Sequence, residues 1–111
     1  AAAAAANLAI WREEPVLERV ATLGQRQQRR LDALSGVAGV HNPRHIGTIT
    51  ALEIGSGEGA YLSNLGPRLL AFFREHSLLL RPLGNTVYVM PPYCIAEDEL
   101  DAVYAAIGAA A

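Results

Sequence analysis

The sequence predicts an α+β fold, a short and largely antiparallel sheet with helices packed on it. Helix-favouring stretches occupy both ends of the chain, and short alternating apolar runs bounded by Gly, Pro and Asn occupy the middle. The resulting order of helix, helix, strand, helix, two strands, helix is that of an α+β layer. Neither an internal repeat nor a flexible linker interrupts it.

Each element has its own local signature. Ala1 to Trp11 is helix-favouring and mostly apolar, as expected of a buried helix end, with Trp11 a packing residue. Glu14-Pro15 reads as a fresh start, with Pro15 at the first helical position. Val16, Val20, Leu23, Leu31 and Leu34 then mark an apolar stripe interrupted by Gln27, and Ser35-Gly36 ends the helix. The next segment is extended and punctuated by Asn42-Pro43, and Ile46, Thr48, Thr50, Leu52 and Ile54 alternate on one strand face. Gly55 to Gly59 is a loop. A helix follows from about Leu65 to Glu75, with Asn64 as its cap and Leu65, Leu69, Phe72 and Phe73 on its core face. Residues 78–90 read as two short strands joined through Leu83-Gly84-Asn85, and Pro91-Pro92 stops the second. The last helix carries Glu97, Asp98 and Glu99 at its positive end and Leu100, Val103, Tyr104 and Ile107 on one face.

Composition narrows the function classes. Hydrophobic residues make up 51% of 111 and the net charge is −2, which excludes a disordered chain and a basic nucleic-acid-binding surface. One cysteine forms no internal disulfide, no apolar run approaches the roughly 20 residues of a membrane span, and no basic n-region marks a signal peptide. A cytoplasmic location is the expectation. All nine basic residues are arginines, so no lysine-dependent chemistry is completed within this sequence. The chain opens on Ala1 to Ala6 without Met, as though cut from inside a longer helix.

Two stretches invite a cofactor reading. Ala51-Leu-Glu-Ile-Gly-Ser-Gly-Glu-Gly59 has the pattern of an adenosylmethionine-binding methyltransferase, because glycine amides approach a cofactor without a Cβ in the way. Such a site also wants an acidic residue about 20 residues on, at the end of the next strand, for ribose hydroxyls. Arg81 stands near that place instead, and about 50 residues are too few to complete a doubly wound sheet built of units of about 30. Met90-Pro-Pro-Tyr93 resembles an amino-methyltransferase loop, but a thioether is only a weak acceptor for the target amine. The glycines are read as a turn.

Three other stretches, in order, resemble the small carboxy-terminal domain of the class III aminotransferases. They are Ile46-Gly-Thr-Ile-Thr-Ala-Leu-Glu53, Leu80-Arg-Pro-Leu-Gly84 and Val87-Tyr-Val-Met-Pro-Pro-Tyr93. Asn7 to Pro15 resembles the helix leading into that domain, so the likeness covers nearly the whole chain. Within the class, the Arg-Pro-x-Gly and Tyr-x-Met-Pro-Pro-Tyr pair resembles the branch that aminates 8-amino-7-oxononanoate in biotin synthesis with S-adenosylmethionine as donor. The resemblance implies a helical lead-in over 1–35 and a small carboxy-terminal domain over 36–111. It also implies a fold-type-I enzyme that uses pyridoxal 5′-phosphate and works as a homodimer. The Schiff-base lysine and the aspartate at the pyridine nitrogen would lie in a large domain outside this chain, which would therefore be inactive alone.

Arg81 matches the family arginine that pairs with the substrate carboxylate, a task suited to a planar fork of donors held extended before a proline. Without the motif it would read as an exposed arginine at a strand end. Tyr88 matches a tyrosine near the substrate and adenosylmethionine pocket, against the alternative of a strand aromatic in the core. Tyr93 reads as structural, with a hydroxyl wanting a partner. Glu53 reads as an ion-pair residue without further role, and Cys94 as buried and inert. His41, His45 and His76 have no metal-site spacing with Cys94, and neither a catalytic residue nor a metal ligand is assigned. Alternatives are another class III ω-amino acid aminotransferase, a methyltransferase module and a non-enzymatic interaction domain.

Overall fold

A computed structural model describes residues 1–55 and 64–111. The elements are α1 (Ala2–Glu13), α2 (Val16–Leu34), β1 (Val40–Ile46), β2 (Ile49–Ile54), α3 (Leu65–Glu75), β3 (Thr86–Val89) and α4 (Glu97–Ala110). The strands form one antiparallel sheet in the order β1-β2-β3. The α+β expectation holds.

Alternation along β2 and β3 sets the two faces of the sheet. Thr50, Leu52, Ile54, Val87 and Val89 point inward and are buried, whereas Ala51, Glu53, Thr86 and Tyr88 face outward and are partly covered. Against the inner face lie Leu23 and Leu31 of α2, Leu69 and Phe73 of α3, and Leu100, Val103, Tyr104 and Ile107 of α4. The stripes expected of α3 and α4 are therefore the ones that pack. At the start of α4, Glu99 Oε2 accepts the Ala96 N–H at 3.0 Å, which satisfies an amide the helix leaves unpaired.

Gln27, expected as a break in the α2 stripe, is wholly buried and hydrogen-bonded at both its amide oxygen and its amide nitrogen. Its Oε1 accepts the Tyr104 hydroxyl at 2.9 Å and that of Thr50 at 3.3 Å, and its Nε2 donates to the Thr48 carbonyl. Thr50 Oγ1 and Tyr104 Oη lie 2.6 Å apart. A buried amide is tolerated in a core only when its donors and acceptors are met this way.

Four expectations are corrected. The run Ile46 to Ile54 is not one strand. Gly47, at φ +57, and Thr48 turn the chain between paired Ile46 and Ile49, leaving Ile46 76% exposed. A two-residue hairpin needs positive φ, which glycine supplies, and it resets the alternation. Residues 78–82 form no strand, and only Leu83 bridges to Thr86. Pro82 brings no backbone donor and the segment stays outside the ladder.

Helix α1 buries no residue, and Leu8, Ile10 and Trp11 are 57%, 41% and 50% exposed. Alanine gives it helix propensity without an amphipathic face, so it forms without packing. Cys94 is exposed, since it follows the Pro91-Pro92 stop outside any strand. At finer grain, Pro15 is the N-cap of α2 rather than its first helical residue, and Asn64 makes no side-chain cap hydrogen bond to α3.

Candidate functional site

The candidate site is built around the turn that precedes β3. Leu83 and Thr86 exchange backbone hydrogen bonds of 2.9 and 3.0 Å, closing a two-residue turn at Gly84-Asn85. Gly84 takes φ +62 there, a conformation that costs little without a Cβ. On the far side, the Asn85 carbonyl accepts the Ile54 N–H at 2.9 Å, so the end of β2 anchors the turn.

Arg81 and Tyr88 lie symmetrically about this turn, two residues before Leu83 and two after Thr86. Arg81 is exposed and borders a groove of about 550 Å³ between the first turn of α3 and the hairpin. Gly66, Pro67 and Leu70 form one wall, and Pro82, Leu83 and Gly84 the other. No carboxylate among the described residues pairs with Arg81, unlike Arg19, Arg30 and Arg44, which meet Glu14, Asp101 and Glu53. A guanidinium at the mouth of a largely apolar groove has donors to offer an anion.

Tyr88 pairs with Ala51 and is partly buried on the outer sheet face, away from the helices. It is therefore not part of the helix-packed core. The structure places Arg81 and Tyr88 on either side of one tight turn, without a hydrogen bond between them.

The other residues singled out in the sequence lie elsewhere. Tyr93 finds a hydroxyl partner, donating to Glu14 Oε2 at 3.2 Å, and Arg19 meets the same oxygen at 2.7 Å. Partial burial and the hydrogen bond to the Glu14 carboxylate push the Tyr93 hydroxyl above its ordinary pKa. Glu53 pairs with Arg44 at 3.2 Å and accepts from Asn42 at 3.1 Å, as its ion-pair assignment expects. His76 contacts the Phe72 carbonyl through Nδ1 at 2.8 Å and stacks on the Phe72 ring. His45 Nε2 is buried without a hydrogen-bond partner among the described residues. Those residues contain no group of three or more His, Cys, Asp or Glu able to hold a metal. The loop expected at Gly55 to Gly59 is described only at Gly55, with φ +97, and the rest lies outside the described residues.

Sequence reasoning missed the groove walls on α3. Gly66-Pro67 was legible only as a helix start, because its closeness to residue 84 depends on tertiary packing.

The whole chain, residues 1–111, matches the family model described as aminotransferase class III. The chain belongs to the class III aminotransferases. Members of this class are pyridoxal 5′-phosphate enzymes. The chain is 43% identical over 77 residues to adenosylmethionine-8-amino-7-oxononanoate aminotransferase of Synechococcus elongatus, covering 69% of this chain and 18% of that protein. It is 34% identical over 106 residues to the enzyme of the same name from Helicobacter pylori, covering 89% and 23%.

Among solved structures, it superposes on adenosylmethionine-8-amino-7-oxononanoate aminotransferase from Methanocaldococcus jannaschii with TM-score 0.87 and 26% identity, over 97% of this chain and 26% of that one. An ω-transaminase from Pseudomonas jessenii in complex with PMP gives TM-score 0.80 and 26% identity, over 94% and 24%. The chain thus spans about a fifth to a quarter of the length of these class III relatives.

The residues present do not fit the cofactor of the class on their own. There is no lysine in the sequence to bond it. Among the described residues no helix is long and apolar enough to cross a membrane.

Proposed function

We propose that this chain is the carboxy-terminal portion of an aminotransferase that converts 8-amino-7-oxononanoate to 7,8-diaminononanoate in biotin synthesis, with S-adenosylmethionine as amino donor. Residues 1–35 would be a helical lead-in and 36–111 the small domain. The whole protein would be a cytoplasmic homodimer that holds pyridoxal 5′-phosphate through a lysine in a large domain. The 111-residue chain would not transaminate alone.

The observation that carries this reading is Arg81, exposed, without a carboxylate partner among the described residues and bordering an apolar-walled groove. Arg12, Arg29, Arg68 and Arg74 also lack ion-pair partners among the described residues, so missing pairing alone does not select Arg81. Its place in Leu80-Arg-Pro-Leu-Gly84, on a turn fixed by Gly84 and anchored to β2, supports the choice.

In this role the guanidinium pairs bidentately with the substrate carboxylate and so fixes which end of the substrate points outward. Pro82 stiffens the chain directly after Arg81 and holds it extended. Tyr88, on the same hairpin, supplies an aromatic surface and a hydroxyl to the donor side of the pocket.

The test is product formation by the full-length protein given the oxononanoate and either adenosylmethionine or a panel of other amino donors. Diamine formed with adenosylmethionine, and poorly with the rest, is the expected outcome. A second reading, an ω-amino acid aminotransferase, is favoured by the close superposition on the Pseudomonas jessenii ω-transaminase. Efficient turnover with ω-amino acids and none with adenosylmethionine would select it.

A further inference from the structure

Gly66, in the first turn of α3, lies against the turn that precedes β3. A Cβ added to Gly66 would stand 3.0 Å from the Gly84 carbonyl oxygen, tighter than ordinary side-chain contacts, so one of the two backbones would have to give by a few tenths of an ångström. The Gly84 side has little freedom to do so. Gly84 is already committed to φ +62, the turn is closed by the paired Leu83–Thr86 hydrogen bonds, and the Asn85 carbonyl is held by Ile54. Displacement therefore falls on α3, and with it on Pro67 and Leu70, which face Pro82 across the groove that Arg81 borders.

We propose that Gly66 is a specificity-determining position. By letting α3 touch the Gly84 turn, it sets how closely the apolar wall of α3 lines an aliphatic chain whose carboxylate is held by Arg81. The inference rests on the carboxylate-anchor reading of Arg81 but makes a separate claim. Arg81 reads the charge, and the Gly66–Gly84 contact sets the fit along the chain. Apolar contact adds affinity by the methylene only where both walls close on it.

The experiment measures competitive inhibition of the full-length holoenzyme by straight-chain monocarboxylates of increasing length and by the matching primary amides. In the unaltered enzyme, affinity rises up to about fourfold per methylene until the chain outruns the groove. In Gly66→Ala the increment falls to about twofold or less, while the preference for carboxylate over amide persists. Leu70→Ala removes the same wall without touching the backbone contact, and it lowers the increment likewise even if Gly66→Ala folds poorly. A generally damaged enzyme would instead lose affinity for every inhibitor in proportion.

Unaltered increments per methylene in Gly66→Ala, or in Leu70→Ala, overturn the proposal. Arg81→Ala separates the two claims, since it should abolish the carboxylate preference and keep the increments. A preference that survives Arg81→Ala defeats the anchor reading itself.

Discussion

At the scale of single residues, Gln27, Thr50 and Tyr104 show how a polar cluster is carried inside this core. Each hydroxyl and the amide has a partner among the other two or the Thr48 carbonyl. Burial pushes the Tyr104 hydroxyl above its ordinary pKa of 10.0, only partly opposed by its hydrogen bond to Thr50 and by Arg30. The folded state thus favours the protonated phenol more than the unfolded state does. That contribution is fully present below about pH 10 and is lost as pH rises through the folded value.

Melting of the protein followed from pH 8 to 11 should show a loss of stability above about pH 10, and Tyr104→Phe should flatten it. The same substitution removes the closer of the two hydroxyls that donate to Gln27 Oε1 and leaves Thr50 as its donor, so at neutral pH it should destabilise by about 0.5–1.5 kcal/mol in denaturant unfolding. A neutral-pH stability equal to the parent's would mean that the hydroxyl network contributes nothing.

At the scale of elements, α2 clamps the β1–β2 hairpin from two successive turns. Gln27 donates to the Thr48 carbonyl, and one turn earlier a Cβ on Gly24 would lie 2.7 Å from the Gly47 oxygen. Real side chains do not tolerate that contact with backbone, so Gly24→Ala must push α2 and the hairpin apart, a strain of about 1–3 kcal/mol readable in the unfolding midpoint. An alanine variant as stable as the parent would show that this contact is loose.

The same hairpin marks where the sequence was legible and where it was not. Helices α3 and α4 were readable because their apolar stripes run at helical period and their faces are the ones that pack. The Gly47-Thr48 turn was hidden because Ile46, Thr48 and Thr50 keep the parity of a single strand across it. Residues 78–82 carried strand-like apolar content, yet a strand exists only with a neighbour to bond, and none is paired there. Arg81 was singled out through its motif, whereas the α3 wall opposite it depends on packing between residues far apart in sequence.

At the scale of the whole molecule, the radius of gyration is 15.8 Å, against about 13 Å for a compact chain of this length. Helix α1 accounts for the difference in kind, since it buries none of its residues. A helix without burial contributes little to the stability of the rest, so Trp11→Ala should change the unfolding free energy of the 111-residue chain by less than about 0.5 kcal/mol. A loss several times larger would place Trp11 in a packed core. The remaining elements form one layered unit whose helices cover the inner sheet face and whose hairpin carries Arg81 and Tyr88 at the edge.

In the proposed reading, that unit carries substrate-recognising groups, and the sequence holds no lysine for the chemistry of the class. If Arg81 anchors the substrate carboxylate as proposed, the anchor is read most directly from kcat/KM for the oxononanoate in full-length Arg81→Ala beside the affinity of that variant for pyridoxal 5′-phosphate. Losing hydrogen bonds to a charged partner should cost about 1.5–3 kcal/mol, a fall of about 10- to 150-fold in kcat/KM with cofactor affinity unchanged. Unchanged kinetics, or a loss confined to cofactor affinity, would contradict it.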